Sequence, residues 1–540
     1  MRNNLFLGAA IVALVAPMGA SAQETTSSIR GTVTSGGAPI AGATVVVTTP
    51  DTGTRSTATT NESGTFNVNG LRAGGPYTVS ISAPGYGSTQ ITDINTTVAQ
   101  AFDLPVELVA DAGGTADEVV VTASRVPNAR SISQGPTTVL NAREIANIAT
   151  VNRDIRDLAR RDPFARLDDS PSGGRAVSFA GQNARFNRFT VDGVSVSDNF
   201  GLNTDGLPSR RSPIPLDAIG QFQAQVAPYD VRQGNFQGGA INIVLKSGTN
   251  EFHGTGFYAQ QRDEFVGDET KNIKITVPNF KQENYGAELS GPIIKDKLFF
   301  MVAGERLRGG RPIVEGPTDN NAGQPISGIS QAQVDQISGI AKSVYGYETG
   351  GVLRNLGDKD DRVVAKLDAN LADTQRLSLT YTYANDGINL LQNTFPNAPT
   401  GLGLASNAYV QGNRLHTGVA QLNSEWSDTF STEVRGFYKN YTRIQDPLLG
   451  RGFAQFRVCT NPTSTVAAPG LTVSPTACEN NAGTVTFGPD SSRQTNELRS
   501  ETWGGLVQAR LTMNDHDVRA FTEVSSVSIF NSFLQNSSGS

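Results

Sequence analysis

The sequence predicts a mainly β, exported protein made of a signal peptide, a small β-sandwich, an α+β segment and the N-terminal part of an antiparallel transmembrane β-barrel. Three observations carry this reading. The chain opens with a secretory leader, its next eighty residues are short strands cut by turns, and from Phe252 onward polar and apolar residues alternate at period two.

The leader is residues 1–22, with Arg2 ahead of an apolar stretch from Leu5 to Ala16 and a small-residue end, Ala20, Ser21 and Ala22. That pattern is a cleavable signal peptide, and its apolar part is too short to span a bilayer. With 540 residues the chain is long enough for several domains. Its 44 basic and 50 acidic residues leave a slight acidic excess, not the basic footprint of a nucleic-acid binder. No later apolar run approaches the roughly 18–20 residues of a transmembrane helix, so the mature chain is either soluble and exported or a barrel. His253, His416 and His516 are scattered, without the spacing of a metal site. The two cysteines, Cys459 and Cys478, lie near one another in a polar segment, and in an exported chain they are expected to form one loop-stapling disulfide.

Residues 27–109 read as the sandwich. Val45–Thr48, Thr65–Val68 and Tyr77–Ser82 are alternating or β-branched, and turns such as Asn61–Gly64 and Ala73–Pro76 separate them. A linker of small and acidic residues follows, and then a β-branched run within 117–124 that includes Glu118, Val119, Val120, Val121 and Thr122. Residues 125–250 mix helix and strand. Leu140, Ile145, Ile148, Val151, Ile155 and Leu158 fall at helix-like spacings, with Arg143, Arg153, Arg156 and Arg160 expected on the surface. Arg188–Val196 reads as strand, Asp192-Gly193 turn and strand. Ala240–Leu245 reads as a strand flanked by Gly238, Gly239 and Gly248, residues suited to tight turns and close backbone approach.

In residues 251–540, Val363, Ala365, Leu367, Ala369 and Leu371 form one face opposite Lys366, Asp368 and Asn370. Leu377, Leu379, Tyr381 and Tyr383 repeat this opposite Ser378, Thr380 and Thr382. The pattern returns around Gly418–Trp426, Val434–Tyr438 and Trp503–Leu511. Such segments suit tilted strands with lipid on one side and a polar lumen on the other. About nine strands are expected, near 252–262, 283–291, 297–306, 361–371, 374–384, 414–426, 429–441, 500–512 and 516–527. Short turns alternate with long connections near 307–360, 385–412 and 442–499, as in outer-membrane barrels. Arg306, Arg308 and Arg311 read as a solvated face.

Two resemblances add to these readings. The order of Ile29–Val33, Pro39–Val45, Thr60–Phe66 and Pro76–Val79 resembles the carboxypeptidase regulatory-like domain, an accessory sandwich with a carbohydrate-binding-like fold and no catalytic residues. From residue 117 onward the chain resembles TonB-dependent outer-membrane receptors of the Oar-like group. The resemblance rests on four phrases in family order: Glu118–Thr122, Val191-Asp192-Gly193, Pro228–Arg232, and the run Gly238, Gly239, Asn242, Lys246 to Asn250.

This resemblance implies that Glu118–Thr122 is a TonB box, captured by strand addition to a sheet edge of TonB. It also implies a plug marked by Asp192, Gly193, Gly238, Gly239, Asn242, Lys246 and Gly248. The partners it implies are TonB with its inner-membrane energising complex, outer-membrane lipid and an extracellular ligand. Neither a cofactor nor enzymatic activity is implied. Plugged transporters have 22 strands, and Gln535–Ser540 is not a terminal aromatic strand, so the chain reads as carrying an N-terminal fragment of a barrel. The expected function is energised uptake of a siderophore, oligosaccharide or similar ligand across a Gram-negative outer membrane, with the sandwich in the periplasm. The alternatives are an adhesion, export or surface-assembly protein, and a secreted carbohydrate-binding module.

Overall fold

The computed structural model describes residues 25–111, 119–132, 135–150, 152–168, 175–203, 205–226, 233, 237–270, 273–274, 277–391, 401–461, 483–492, 495–513 and 516–534. Among them no helix is long and apolar enough to cross a membrane, a statement that bears on helices alone.

The sandwich is built from β1 (Thr26–Ser35), β2 (Thr44–Thr49), β3 (Thr54–Thr59), β4 (Thr65–Arg72), β5 (Gly74–Ser82), β6 (Thr89–Thr96), β7 (Ala101–Asp103) and β8 (Val119–Thr122). One sheet gathers β4, β7 and short partners around β1, and the other runs β8-β6-β5-β2-β3. Strand periodicity sends Val45, Val47, Tyr77, Val79 and Ile81 into the space between them, where they pack with Ile29, Phe66 and Val68. Two buried polar groups find partners within the sandwich: Tyr77 donates to the Arg72 carbonyl at 2.8 Å, and the Ser27 hydroxyl donates to Thr96 Oγ1 at 2.7 Å.

The plug sheet contains β9 (Thr137–Asn141), β10 (Arg188–Val191), β11 (Ile219–Val226) and β12 (Gly239–Leu245), in the order β9-β11-β12-β10, with Val194–Ser195 at its end. β12, the expected strand of the glycine-rich run, is central, antiparallel to β11 and parallel to β10. The helix-like spacing of 140–160 resolves differently from expectation. Leu140 belongs to β9, and two short helices follow, α1 (Ala142–Ala146) and α2 (Ile155–Ala159). The break has a local cause. Asn141 and Glu144 cap α1 reciprocally, Asp154 caps α2 afresh, and Arg153 between them has φ +48°.

The wall is a nine-stranded antiparallel meander: β13 (His253–Arg262), β14 (Lys281–Ile294), β15 (Leu298–Pro312), β16 (Asn355–Ala372), β17 (Gln375–Leu390), β18 (Tyr409–Glu425), β19 (Phe430–Pro447), β20 (Thr495–Met513) and β21 (His516–Leu534). Each expected strand is present. From β14 on most are longer than expected, because pairing continues past the lipid-spanning ~9–11 residues into what the hydropathy pattern marked as loops. One result is that Arg308, expected in a connection, lies on β15, where it and Arg306 pair with Asp361 of β16.

Side-chain alternation survives in three dimensions. Leu367, Leu379, Val434 and Val507 are exposed on the outer face, whereas Lys366, Thr380, Arg435 and Gln508 are buried on the inner one. Tyr381, Gly418, Tyr438 and Trp503 are register partners across β17–β20, and Tyr381, Tyr438 and Trp503 are exposed in a belt. Phe252, Trp426 and Phe430 are exposed toward the short-turn end. Two aromatic belts flanking an apolar band are the signature of a lipid-facing wall.

At the long-connection end, α3 (Gln331–Tyr345) of the β15–β16 connection packs on a small sheet formed by Gly401–Gly403 of the β17–β18 connection and by Phe456–Cys459 and Thr484–Phe487 of the β19–β20 connection. Ile329, Val334, Leu402, Leu404, Val485 and Phe487 form its core, and Tyr347 stacks on Phe453 with ring centroids 3.7 Å apart. Cys459 is disulfide-bonded, while Cys478 lies outside the described residues.

Leu367→Arg, on the outer face at mid-strand, is expected to destabilise the wall by about 2–4 kcal/mol, measured by urea titration of the chain refolded into lipid vesicles. Leu367→Ile should change it little.

Candidate functional site at the junction of plug and wall

The inner face of β15 and β16 contributes Met301, Ala303 and Val364 to the plug core, so plug and wall share an apolar contact. Around that contact the interface is ionic. On the plug side, Arg156 of α2 is 1% exposed and donates to Asp205 Oδ2 at 2.5 Å and Asp154 Oδ2 at 2.9 Å, and its Nη1 also donates to the Arg210 carbonyl at 3.0 Å. This corrects the surface placement expected for Arg156. Arg156 is buried with its helix neighbours Ile155, Leu158 and Ala159, and two carboxylates compensate the buried charge. Burial alone would raise the Asp154 carboxyl, but Arg156 beside it holds it below the ordinary aspartate range.

Arg156 thereby fixes the segment 205–212, which presents the next two arginines to the wall. Arg210 and Arg211 both pair with Asp358 of β16, the second at 2.9 Å, and the Arg210 amide donates to Asp386 of β17 at 2.8 Å. Burial, with Arg211 next to it, pushes the Arg210 guanidinium below its usual range. Arg153 is likewise drawn inward, to Asp217 at 2.5 Å and Glu305 of β15 at 3.6 Å. Arg362 of β16 pairs with Asp360 at 2.8 Å and reaches back to the Arg153 carbonyl.

Of the plug residues singled out in the sequence, Asp192, Gly193, Lys246 and Gly248 lie at this seam, whereas Asn242, Gly238 and Gly239 bond within the plug. Asp192, with φ +43°, accepts from the Leu245 amide at 2.9 Å and pairs with Lys366 of β16 at 3.0 Å. Gly193 follows at φ +74°, and its carbonyl accepts from Arg435 of β19 at 3.0 Å. Asn242 accepts from Thr190 and donates to Gln223 and Gln225 across the plug sheet. Gly238 and Gly239 hydrogen-bond to the Phe186 carbonyl and the Asn187 side chain, and Lys246 faces Glu288 at 3.9 Å. At Gly248 a Cβ would lie 2.5 Å from the Phe300 carbonyl oxygen and 2.6 Å from that of Gly291, so only glycine lets the plug leave along the wall.

The sandwich sits against the short-turn end of this assembly. Arg72 pairs with Asp368 at 3.3 Å, Arg376 donates to the Gly70 carbonyl and Ser56, and Gln221 of the plug bonds both Val98 and Thr96. A cavity of about 460 Å³ lies between the three units, lined in part by Arg72, Lys246, Glu288, Lys366 and Arg376. β8 is not a free tail. Val119–Thr122 pair in parallel with Thr89–Thr92, and the chain then stays with the sandwich, Arg130–Ser131 pairing with Asp103 and Phe102. The plug sheet therefore begins at Thr137 rather than 125. Glu118 and the phrase Pro228–Arg232 lie outside the described residues.

Residues 244–540 match the model of the outer membrane beta barrel domain. The chain belongs to that family. Residues 28–109 match the carboxypeptidase regulatory-like domain. The chain is similar to the TonB-dependent transporter Oar of Myxococcus xanthus, at 29% identity over 303 residues, covering 52% of this chain and 27% of that protein. It is also similar to the probable TonB-dependent siderophore receptor PirA of Acinetobacter baumannii, at 26% identity over 28% of this chain and 20% of that one. The alignments thus span about a quarter of these relatives' length. Among solved structures, the outer membrane transporter YddB of Escherichia coli superposes with a TM-score of 0.50 at 12% identity over 73% of this chain and 48% of that chain, a likeness of fold. This outer-membrane barrel chain resembles TonB-dependent receptors in both sequence and architecture, and the relatives named are transporters and receptors.

The sequence reading missed Arg210, Arg211, Glu305, Asp358, Asp360 and Asp386. A signal for the wall members existed: carrying the parity of Lys366 and Asp368 back along β16 reaches Arg362, Asp360 and Asp358.

Asp358→Asn removes the carboxylate that two arginines share, and breaking such a buried pair costs about 3–5 kcal/mol. Faster hydrogen exchange in 205–214 with an unchanged wall is expected; unaltered exchange there would remove the ionic contact as the plug's anchor. Because the Asp154 pKa is depressed, its stabilisation is complete above the ordinary aspartate value of about 3.9 and fades only as pH falls through the lowered value. Proteolytic resistance of the plug should therefore be level from neutrality to about pH 4 and decline below it.

Proposed function

We propose that this chain is the plug-bearing part of a TonB-dependent outer-membrane transporter that takes up a siderophore, oligosaccharide or similar ligand. The observation that carries this reading is the join between plug and wall: among the described residues the plug core takes in Met301, Ala303 and Val364 of the wall, and around that patch the join is made by ion pairs and hydrogen bonds, with Arg153 over the Phe257 ring. Exposing apolar surface to water costs ~25 cal/mol per Å², whereas water re-solvates ions and hydrogen-bonding groups as they part. Replacing a buried ion pair with apolar groups is often stabilising, so ionic seams are separable ones. A plug that must move under force and reseat is better served by this chemistry than by a greasy interface.

In this reading the aromatic belts mark the bilayer, and the short turns and the sandwich face the periplasm. The three-connection module around α3 faces the medium, where ligand binds. Segment 118–122 is the site that TonB and its energising complex engage, and the cavity beneath Lys246 and Lys366 marks the place where a displaced plug opens the lumen. The fit of the α3 module to a second reading, a surface adhesion or assembly role, rests on Ile340, Val344 and Tyr345, which are exposed on that helix.

The deciding experiment is ligand uptake by cells carrying Val120→Pro, which removes a backbone N–H and disturbs strand pairing. Uptake should drop at least about tenfold, a loss of ~1.4 kcal/mol or more in coupling, while surface display of the protein persists. Undiminished uptake by the displayed variant would dismiss 118–122 as the engaged site.

A further inference from the structure

We propose that the strand Val119–Thr122 is presented to TonB as the outer edge of the sandwich sheet, so that TonB pairs with a folded edge and not with a released peptide. The proposal rests on the reading of 118–122 as the TonB-engaged segment and adds how that segment is offered.

The geometry begins with strand order. β8 is terminal in β8-β6-β5-β2-β3, and among the described residues it pairs on one side only, with β6. Backbone groups of a strand alternate in direction, so a strand bonded along one side still carries outward N–H and C=O groups on the other. The opposite end of the same sheet is engaged: the wall reaches β3, where Asn370 donates to Thr54 Oγ1 at 3.2 Å and Arg376 to Ser56 Oγ at 2.8 Å. Of the two ends of this sheet, β8 is therefore the one left for a partner.

The strand is also sewn in on its C-terminal side. Ala123 is buried in the sandwich core, Val121, Val126 and Ala129 pack against that core, and the Ile132 amide donates to the Ala101 carbonyl at 2.9 Å. The segment 119–132 thus closes the edges of both sheets, β6 in one and β7 in the other. Release of β8 would give up its ladder and loosen this packing. Pairing at its open side gives up neither, and the ordering entropy of a flexible peptide has already been met.

The residues fit an edge meant to be used. Val-Val-Val-Thr is β-branched throughout, without the lysine, proline or inward charge that natural edges use to refuse a partner. The fitting partner is a protein with its own unpaired sheet edge. Force applied there passes through the ladder of β8 and β6 into the sandwich before it reaches β9 of the plug.

The test uses the full chain in detergent with Gln90→Cys and Val120→Cys, register partners across β6 and β8, titrated with a soluble TonB fragment that carries the open sheet edge. With the cross-link oxidised, affinity within about threefold of the reduced form is expected. A loss of tenfold or more that reductant restores would mean that the strand has to leave the sheet, and would overturn the proposal. A second variant replaces residues 118–122 with glycine and serine. Its loss of binding is expected, and retained binding would remove both the engagement reading and this proposal, an outcome distinct from failure of the cross-linked form alone.

Discussion

The constraint on which the rest of the structure depends is the two-sidedness of a membrane-spanning strand. In lipid backbone groups need partners within the protein, and the wall meets this with a continuous series of antiparallel pairings from β13 to β21, whose two outer strands pair on one side only among the described residues. That ladder commits alternate residues to opposite faces. Once Leu367, Leu379, Val434 and Val507 meet lipid, Lys366, Thr380, Arg435 and Gln508 must point into the lumen, where burial is tolerable only with partners. Plug and sandwich supply them: Asp192 for Lys366, the Gly193 carbonyl for Arg435, and Arg72 for Asp368.

The distribution of those partners explains how a plug can be firmly placed yet separable. Its own core is apolar and its sheet is centred on β12, so it holds together as a body. Its seam with the wall is made largely of charges whose desolvation cost offsets much of their attraction, which gives position and orientation more than adhesion. Arg156 is the hinge of this arrangement in chemical terms. By holding Asp154, Asp205 and the Arg210 carbonyl within the plug, it sets where Arg210 and Arg211 project toward the wall.

The two ends of the molecule are organised on the same principle of borrowed partners. At the short-turn end the sandwich takes β8 and Arg130–Ser131 as edge strands, although a linker separates them from it in sequence. At the other end three connections combine into one small core around α3, where none alone has enough apolar surface to fold.

Local periodicity by itself determined the wall: strand existence, facing and the order of short and long connections follow from a period of two that nothing in a lipid-facing ladder can override. Turn chemistry likewise made Asp192-Gly193 and β12 legible. What only the tertiary structure decided is where polar residues with no pattern of their own find partners. Arg153 and Arg156 look like surface positions on a helix because spacing cannot report that Asp154, Asp205 and Glu305 converge from distant segments. The helix α3 was open to detection from the Ser330 and Gln333 capping box, but its packing on segments of two other connections was not. The full length of β15 and β16 escaped because ionic residues such as Arg308, Asp358 and Asp360 read as loop until their cross-strand mates are known. The same holds for Val119–Thr122: its sequence specifies an extended strand, and only the folded chain selects β6 as its neighbour, since pairing energy depends on which edge lies within reach.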